Sequence, residues 1–292
     1  MTERVIALGF FDGVHIGHGA LLRKTAELGR EKGLAPAALT FCGSVTGKPT
    51  MLLNSVEDRV GLIREQYGIG DVILLPFGEP LRRMAAEDFP AFLQAEYGAR
   101  ALVVGYDFTY GYRGAGNAGT LASRAGELGM ECYVVPRVTV EGQTVSSSVI
   151  RELVREGRME EAEKLLGHPH RLTAVIREGK HLGRTIGTPT MNQLLPENVA
   201  EPRRGVYISK ALLPDGRSFY GVTNIGVRPT VSDGENVTVE TWLQSFSGEL
   251  VGQNVRLELL HFLREERRFA DLEALKEQIH KDAEAVRRYT EA

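Results

Sequence analysis

Residues 9 to 18 read Gly-Phe-Phe-Asp-Gly-Val-His-Ile-Gly-His, directly after the short apolar run Val5 to Leu8 and ahead of a helical pattern that starts near Gly19. The reading is a strand, a tight turn and a helix N-terminus. Such a junction aims unpaired backbone N–H groups and the positive end of a helix dipole at one point, which suits a phosphate. His15 and His18 bracket Gly17, so a ligand can approach the backbone while two imidazoles donate to phosphate oxygens. A purely structural turn is the plainer alternative; the place of the His15-Ile-Gly-His18 tetrad, where strand gives way to helix, favours the phosphate site. No nucleophile is required there, because preorganised donors stabilise the charge that builds up on a nucleotide phosphate during displacement.

Outward from this stretch, strand-like and helix-like segments alternate. A helix carrying Leu21, Leu22, Ala26 and Leu28 ends at Gly33, and Ala35 to Phe41 reads as a buried strand. Ser55 and Asp58 have capping-box spacing for a helix with Val60, Ile63 and Tyr67. Strands at Val72 to Leu75, Ala101 to Val104 and Tyr133 to Val138 follow, separated by helices near Phe89 to Tyr97 and Leu121 to Leu128. Alternation of this kind predicts an α/β, Rossmann-like unit with a parallel sheet and ligands at the carboxyl ends of its strands.

The character changes near Leu165-Leu166-Gly167-His168-Pro169, which places a domain boundary between 1–168 and 171–292. Beyond it, short strands at Val175 to Arg177, Gly205 to Leu213, Phe219 to Val227, Val239 to Phe246 and Val255 to Phe262 predict a small antiparallel β-barrel. A closing helix carries Leu272, Leu275, Ile279 and Val286 as a stripe that packs on the barrel.

With 292 residues, 42% of them hydrophobic, 25% charged and a net charge of −3, the chain has room for two cores and carries no electrostatic footprint for nucleic acid or an anionic membrane. Small molecules are the expected partners. Cys42 and Cys132 lie far apart, outside any disulfide framework or zinc spacing, as expected of a cytoplasmic protein. No signal peptide or apolar run of about 18 residues is visible. A monomer or weak homo-oligomer is expected.

Two glycine-rich segments mimic nucleotide motifs. Gly114 to Gly119 matches G-x-G-x-x-G but begins several residues after a strand, so it reads as a flexible loop. Gly43 to Lys48 has the wrong spacing for a phosphate loop, with Pro49 where Ser or Thr would bind magnesium, and reads as a surface loop. Three other segments leave two readings open. Asp107, in Gly105-Tyr-Asp-Phe-Thr-Tyr-Gly111, is a strand-end ligand, or else a helix cap or solvated turn residue. Ser146-Ser147-Ser148-Val-Ile-Arg151 is a phosphate-binding helix start or a plain serine cap. Gly179 to Asn192 is a glycine loop offering the Thr190 hydroxyl and Asn192 carbonyl as hard oxygen ligands for Mg2+, or a simple Gly/Pro turn.

The tetrad stretch, Gly105 to Gly111 and Ser146 to Arg151 together resemble the nucleotidyltransferase half of the bacterial FAD synthetase family, whose members are bifunctional riboflavin kinases/FMN adenylyltransferases. Gly179 to Asn192, with Gly183 and Pro189-Thr190-Met191-Asn192, resembles the glycine loop and Pro-Thr-x-Asn motif of riboflavin kinases; Pro202 to Tyr207 and Gly221 to Thr230 continue it in register. The resemblance implies that the barrel phosphorylates riboflavin to FMN with Mg·ATP and that the α/β half adenylylates FMN with a second ATP to give FAD and pyrophosphate. It implies His15 and His18 as catalytic donors, with Gly9, Phe11, Asp12, Gly17, Asp107, Ser147, Ser148 and Arg151 around the nucleotide. In the barrel it implies Gly183, Thr190 and Asn192 on the second nucleotide, Thr190 and Asn192 on Mg2+, and Glu240 as the base. Read locally, Glu240 in Val239-Glu-Thr-Trp-Leu243 is equally a barrel-face acid or an ion-pair partner. The sequence departs from the family pattern at Cys42-Gly43-Ser44, Thr188, Trp242, Ser245 and Val251. A flavin-sensing paralogue without catalysis, or a kinase with a weakened second half, is the alternative; a sensor needs no base. A tRNA-synthetase fragment is weaker, since the chain has no Lys-Met-Ser-Lys-Ser loop.

Overall fold

The computed structural model describes residues 1–42, 51–178, 190–228 and 236–291. In chain order its elements are β1 (Arg4–Leu8), α1 (Ile16–Lys32), β2 (Ala35–Cys42), α2 (Val56–Tyr67), β3 (Asp71–Pro76), α3 (Glu79–Arg82), α4 (Phe89–Tyr97) and β4 (Ala99–Gly105). The small strands β5 (Thr109–Tyr110) and β6 (Gly116–Asn117) precede α5 (Ala118–Glu127) and β7 (Glu131–Val135), followed by β8 (Thr139–Val140) and β9 (Gln143–Thr144). Then come α6 (Ser147–Glu156), α7 (Met159–Leu166), β10 (His170–Val175), β11 (Thr190–Leu194), β12 (Gly205–Leu212), β13 (Ser218–Arg228), β14 (Asn236–Leu243), β15 (Asn254–Arg264) and α8 (Leu272–Glu291). The chain forms two compact units, Met1–Thr50 with Arg59–Ser147 and Met51–Asp58 with Ser148–Ala292.

In the first unit five parallel strands lie in the order β3-β2-β1-β4-β7. Val5-Ile-Ala-Leu8 is apolar at every position because both faces of the strand are covered. Ile6 and Leu8 face Phe89, Leu93 and Leu121 on α4 and α5, while Val5 and Ala7 face Leu21, Leu22, Leu62 and Ile63 on α1 and α2. Each fully buried Leu or Ile contributes on the order of 2 kcal/mol. The chain leaves β1 for β2 and β3 on one side and returns to β4 on the other, so the carboxyl end of β1 is a topological switch point. The Gly114 to Gly119 run supplies β6, which pairs with β5 upstream of it, and leads into an Asn117/Thr120 capping box for α5. Gly114 has a φ of 68°, and Gly116 stands where a Cβ would lie 2.5 Å from the Tyr110 ring.

In the second unit six antiparallel strands run β10-β15-β12-β13-β14-β11, and a bridge between Arg177 and Asn192 closes the barrel. The last residues of the glycine-to-Asn192 stretch are therefore a strand, β11. The change of pattern at Gly167 falls inside this unit. Met51–Asp58 joins it through strand-like pairing of Leu52 with Val199 and through Asp58, which accepts the Thr173 backbone N–H at 3.2 Å and the Thr173 hydroxyl. Burial raises the Asp58 pKa, against these hydrogen bonds and the charge of Arg171.

Successive residues of each barrel strand face opposite ways. Tyr207, Ser209, Thr223, Ile225, Val239 and Thr241 are buried on one face, where the hydroxyls of Ser209, Thr223 and Thr241 form a chain with links of 2.6 and 2.8 Å. Such a chain satisfies polar groups that burial would otherwise make costly. On the other face Ile208, Val222 and Leu260 pack on Val286 of α8. Arg264 at the end of β15 ties the same helix down by ion pairing with the buried Asp282 at 2.7 Å, and Gln278 donates to Asp282 at 2.6 Å. Removing one partner of such a pair strands the other charge, so Asp282→Ala is expected to cost about 3 kcal/mol in a urea titration.

His170, at the start of β10, is buried, and neither of its ring nitrogens has a hydrogen-bond partner among the described residues. Burial, helped by nearby His168, pushes its pKa down to about 4. Its folded value lies below the unfolded one, so the unfolded chain binds more protons between them. Stability is therefore full above about pH 6.5 and falls by roughly 3 kcal/mol as the pH drops to about 4. Trp242, the one tryptophan, lies in the same unit and reports the transition by fluorescence. His170→Leu should flatten this acid limb of the urea midpoint.

Candidate active sites

In the first unit the turn after β1 is conformationally costly. Phe11, Gly13 and Val14 have φ of 54°, 79° and 42°, and the β-branched Val14 is held there although its side chain disfavours it. Phe11 and Val14 are fully buried beside Leu22 and Ile63, so packing enforces the turn. Gly9 is required by close approach: a Cβ there would lie 2.9 Å from the Phe11 ring. α1 begins at Ile16, earlier than its periodicity suggests, because His15 caps it: Nδ1 accepts the His18 backbone N–H at 3.2 Å. That bond fixes the proton of a neutral ring on Nε2, which becomes a donor.

The His15 and His18 rings stack at 3.6 Å with a 12° interplanar angle. Gly17 leaves room for this, since a Cβ would lie 3.1 Å from His15 Nδ1 and Cε1. Burial, then His15, then the cation of Arg59 hold the His18 pKa well below its ordinary value. The pair is a set of neutral donors at the switch point. Asp12 is buried in the turn, and its carbonyl accepts the Ser147 hydroxyl at 2.9 Å. Asp107 is exposed just beyond β4, the strand beside β1. Ser148 and Arg151 lie on α6, in the second unit.

The sequence reading missed Arg59. It is fully buried, and Nη1 donates to Phe10 O at 2.9 Å, Phe41 O at 3.0 Å and Thr40 Oγ1 at 2.9 Å, tying the carboxyl ends of β1 and β2 together. Arg59, Leu62 and Ile63 share the helical spacing of one buried face, so the signal was an arginine inside an apolar stripe. Also missed was a pocket of about 920 Å³ lined by Phe41, Phe77, Phe108 and Tyr110 with Arg82, Arg83 and Arg113. Phe41 and Phe77 meet edge to face at 5.5 Å, and Phe108 stacks on Tyr110 at 5.9 Å. Phe41, Phe77 and Phe108 stand at or just past the carboxyl ends of β2, β3 and β4, a repetition visible in the sequence.

In the second unit cross-strand register builds the site. Asn192, Glu240, Asn224, Val206 and Arg264 stand opposite one another in turn across β11, β14, β13, β12 and β15. Directly opposed residues share a face, so these side chains form one row. Two residues along, Thr190, Trp242 and Val222 form the next. A pocket of about 270 Å³ lies over the rows, with Leu275, Ile279 and Asp282 of α8 among its walls. The structure thus brings Thr190 and Glu240 to one pocket and Asn192 to the same face. Asn192 Nδ2 donates to the Thr190 carbonyl at 3.2 Å, which fixes the amide oxygen as the end that can meet a cation. A hydroxyl, an amide oxygen and a carboxylate are the hard donors that Mg2+ takes together with substrate phosphates, so the residues fit that ion. Gly183 lies outside the described residues.

A family model described as FAD synthetase matches residues 1–149, and one described as riboflavin kinase matches 166–290. The bifunctional riboflavin kinase/FMN adenylyltransferase of Bacillus subtilis is 34% identical over 297 residues, covering 99% of this chain and 93% of the relative. The chain belongs to the bifunctional riboflavin kinase/FMN adenylyltransferase family. A relative with the same description from Pseudomonas fluorescens is 34% identical, covering 97% of this chain and 92% of its own. A crystal structure described as a macrolide-efflux protein from Streptococcus pneumoniae superposes with a TM-score of 0.86 at 28% identity, covering 98% of this chain and 94% of that one. Its description points to transport. Among the described residues of this family member, no helix is long and apolar enough to cross a membrane.

Proposed function

We propose that this chain phosphorylates riboflavin to FMN at the barrel pocket and adenylylates FMN to FAD at the end of the parallel sheet, as a cytoplasmic biosynthetic enzyme. The observation that carries the reading is the pairing of two sites with the two family matches: the Thr190/Asn192/Glu240 face in one unit and the stacked His15/His18 pair in the other. In the first step Glu240 takes the proton of riboflavin's primary hydroxyl as its oxygen attacks the γ-phosphorus of ATP and ADP leaves. Thr190 and Asn192 would hold Mg2+, which when bound neutralises charge on the transferring phosphates. Trp242 and Phe269 offer aromatic faces to the flavin ring.

In the second step an FMN phosphate oxygen attacks the α-phosphorus of ATP and pyrophosphate leaves. His15 Nε2–H and the His18 ring stabilise the charge, and the Phe41/Phe77/Phe108/Tyr110 pocket suits a planar flavin, with Arg82, Arg83 and Arg113 for its phosphate. Gly9, Phe11, Asp12 and Gly17 shape the turn that meets the nucleotide, and Ser147 rests on that turn. Asp107, Ser148 and Arg151 are assigned to the nucleotide by the family resemblance. Incubation with riboflavin and Mg·ATP, followed by separation of the flavins, tests both steps. FMN and FAD should both appear. FMN alone would restrict the activity to a kinase, and bound but unchanged riboflavin would make the chain a sensor.

A further inference from the structure

Glu266 plays no part in the reactions above, yet it lines the same pocket as Glu240. It follows β15 and accepts the Asn224 amide Nδ2–H at 2.9 Å. Its carboxylate lies against β13 at Gly226, where a Cβ would stand 2.3 Å from Glu266 Oε1. Asn224 stands directly opposite Glu240 in the ladder, so its side chain shares a face with Glu240 while its amide is held by Glu266. A carboxylate only accepts hydrogen bonds. The nitrogen of the Asn224 amide must therefore face Glu266, and its oxygen is set as the acceptor for something else that enters the pocket.

We propose that Glu266 and Asn224 are a specificity device of the kinase site: Glu266 fixes the Asn224 amide so that its oxygen accepts a secondary hydroxyl of the substrate's polyol chain while Glu240 takes the terminal one. This rests on the kinase reading above. Directly opposed residues of an antiparallel pair carry their Cβ atoms about 5 Å apart, a spacing that two hydroxyls of one polyol can match. Glu266 is a positioning residue, because it acts through Asn224. The pair distinguishes a hydroxylated side chain from a bare alkyl one on the same ring, which ring packing against Trp242 and Phe269 cannot do.

The test uses the full-length chain and measures kcat/KM for riboflavin and for its 2′-, 3′- and 4′-deoxy analogues. Glu266→Ala should lower kcat/KM for riboflavin about tenfold, through KM for riboflavin and with KM for ATP unchanged. Glu266→Gln keeps an acceptor oxygen for Asn224 and should stay within about threefold of the parent. Against one of the three analogues the parent should already be about tenfold slower, and Glu266→Ala should cost nothing more. An equal loss on riboflavin and all three analogues would overturn the proposal, as would no loss at all. A parent that makes no FMN from riboflavin overturns the kinase reading, and this proposal with it; a parent that makes FMN without this coupling overturns the proposal alone.

Discussion

FAD formation from FMN and ATP is expected to fall at least about a hundredfold when His15 and His18 are both replaced by alanine, while riboflavin phosphorylation stays at the parental rate. Loss of a single preorganised donor to developing charge typically costs a hundred- to a thousandfold. The two rings stack at 3.6 Å, so the double variant removes both imidazole donors together and leaves only the backbone N–H groups of the turn. The direction of the His18 shift adds a second expectation. Its pKa lies well below 6.5, so the ring is already neutral at pH 6.5 and no activity should be lost on raising the pH to 8. A site that worked through an imidazolium would lose rate over that interval. The alanines also remove the cap of α1, a cost of about 1 kcal/mol that a thermal melt can separate from the chemistry. Parental FAD synthesis by the folded variant would exclude the donor role.

What the sequence disclosed divides along physical lines. The parallel sheet was legible because strands covered on both faces are apolar throughout, as Val5 to Leu8 is, and because Gly33 ends α1 where periodicity says it should. The place of His15 and His18 was legible because the apolar run of β1 ends just before them and the helical pattern of α1 begins just after. β11 was obscured: Thr190-Met-Gln-Leu around Asn192 alternates only weakly, and its membership of the sheet comes from partners on β14 far along the chain. The pairing of Leu52 with Val199 has no local signature at all, so the place of Met51–Asp58 with the second unit could not be read. Arg59 escaped for the opposite reason. Its signal was local and clear, but the stripe was centred on half-buried Val60 instead of on Arg59, Leu62 and Ile63. The strand-end aromatics Phe41, Phe77 and Phe108 become a pocket only when β2, β3 and β4 are laid in one sheet. Side chains of this kind are visible singly, and their grouping is a property of topology.

Glu240→Gln is expected to lower the turnover of riboflavin phosphorylation by about a hundred- to ten-thousandfold, with KM for ATP little changed. The substitution keeps the size of the side chain and its place between Asn192 and Asn224 but removes its capacity to take a proton. A merely structural acid in this row would behave differently: its amide would still bond to neighbouring donors, and the loss would stay within a few-fold. The other unit supplies the control. Given FMN directly, the variant should make FAD at the parental rate, because only the upstream step is blocked. Given riboflavin, it should accumulate neither FMN nor FAD. Phosphorylation within a few-fold of the parent would mean that another group accepts the proton, and loss of both activities would point to misfolding, which Trp242 fluorescence would register because that side chain lies two residues along the same face.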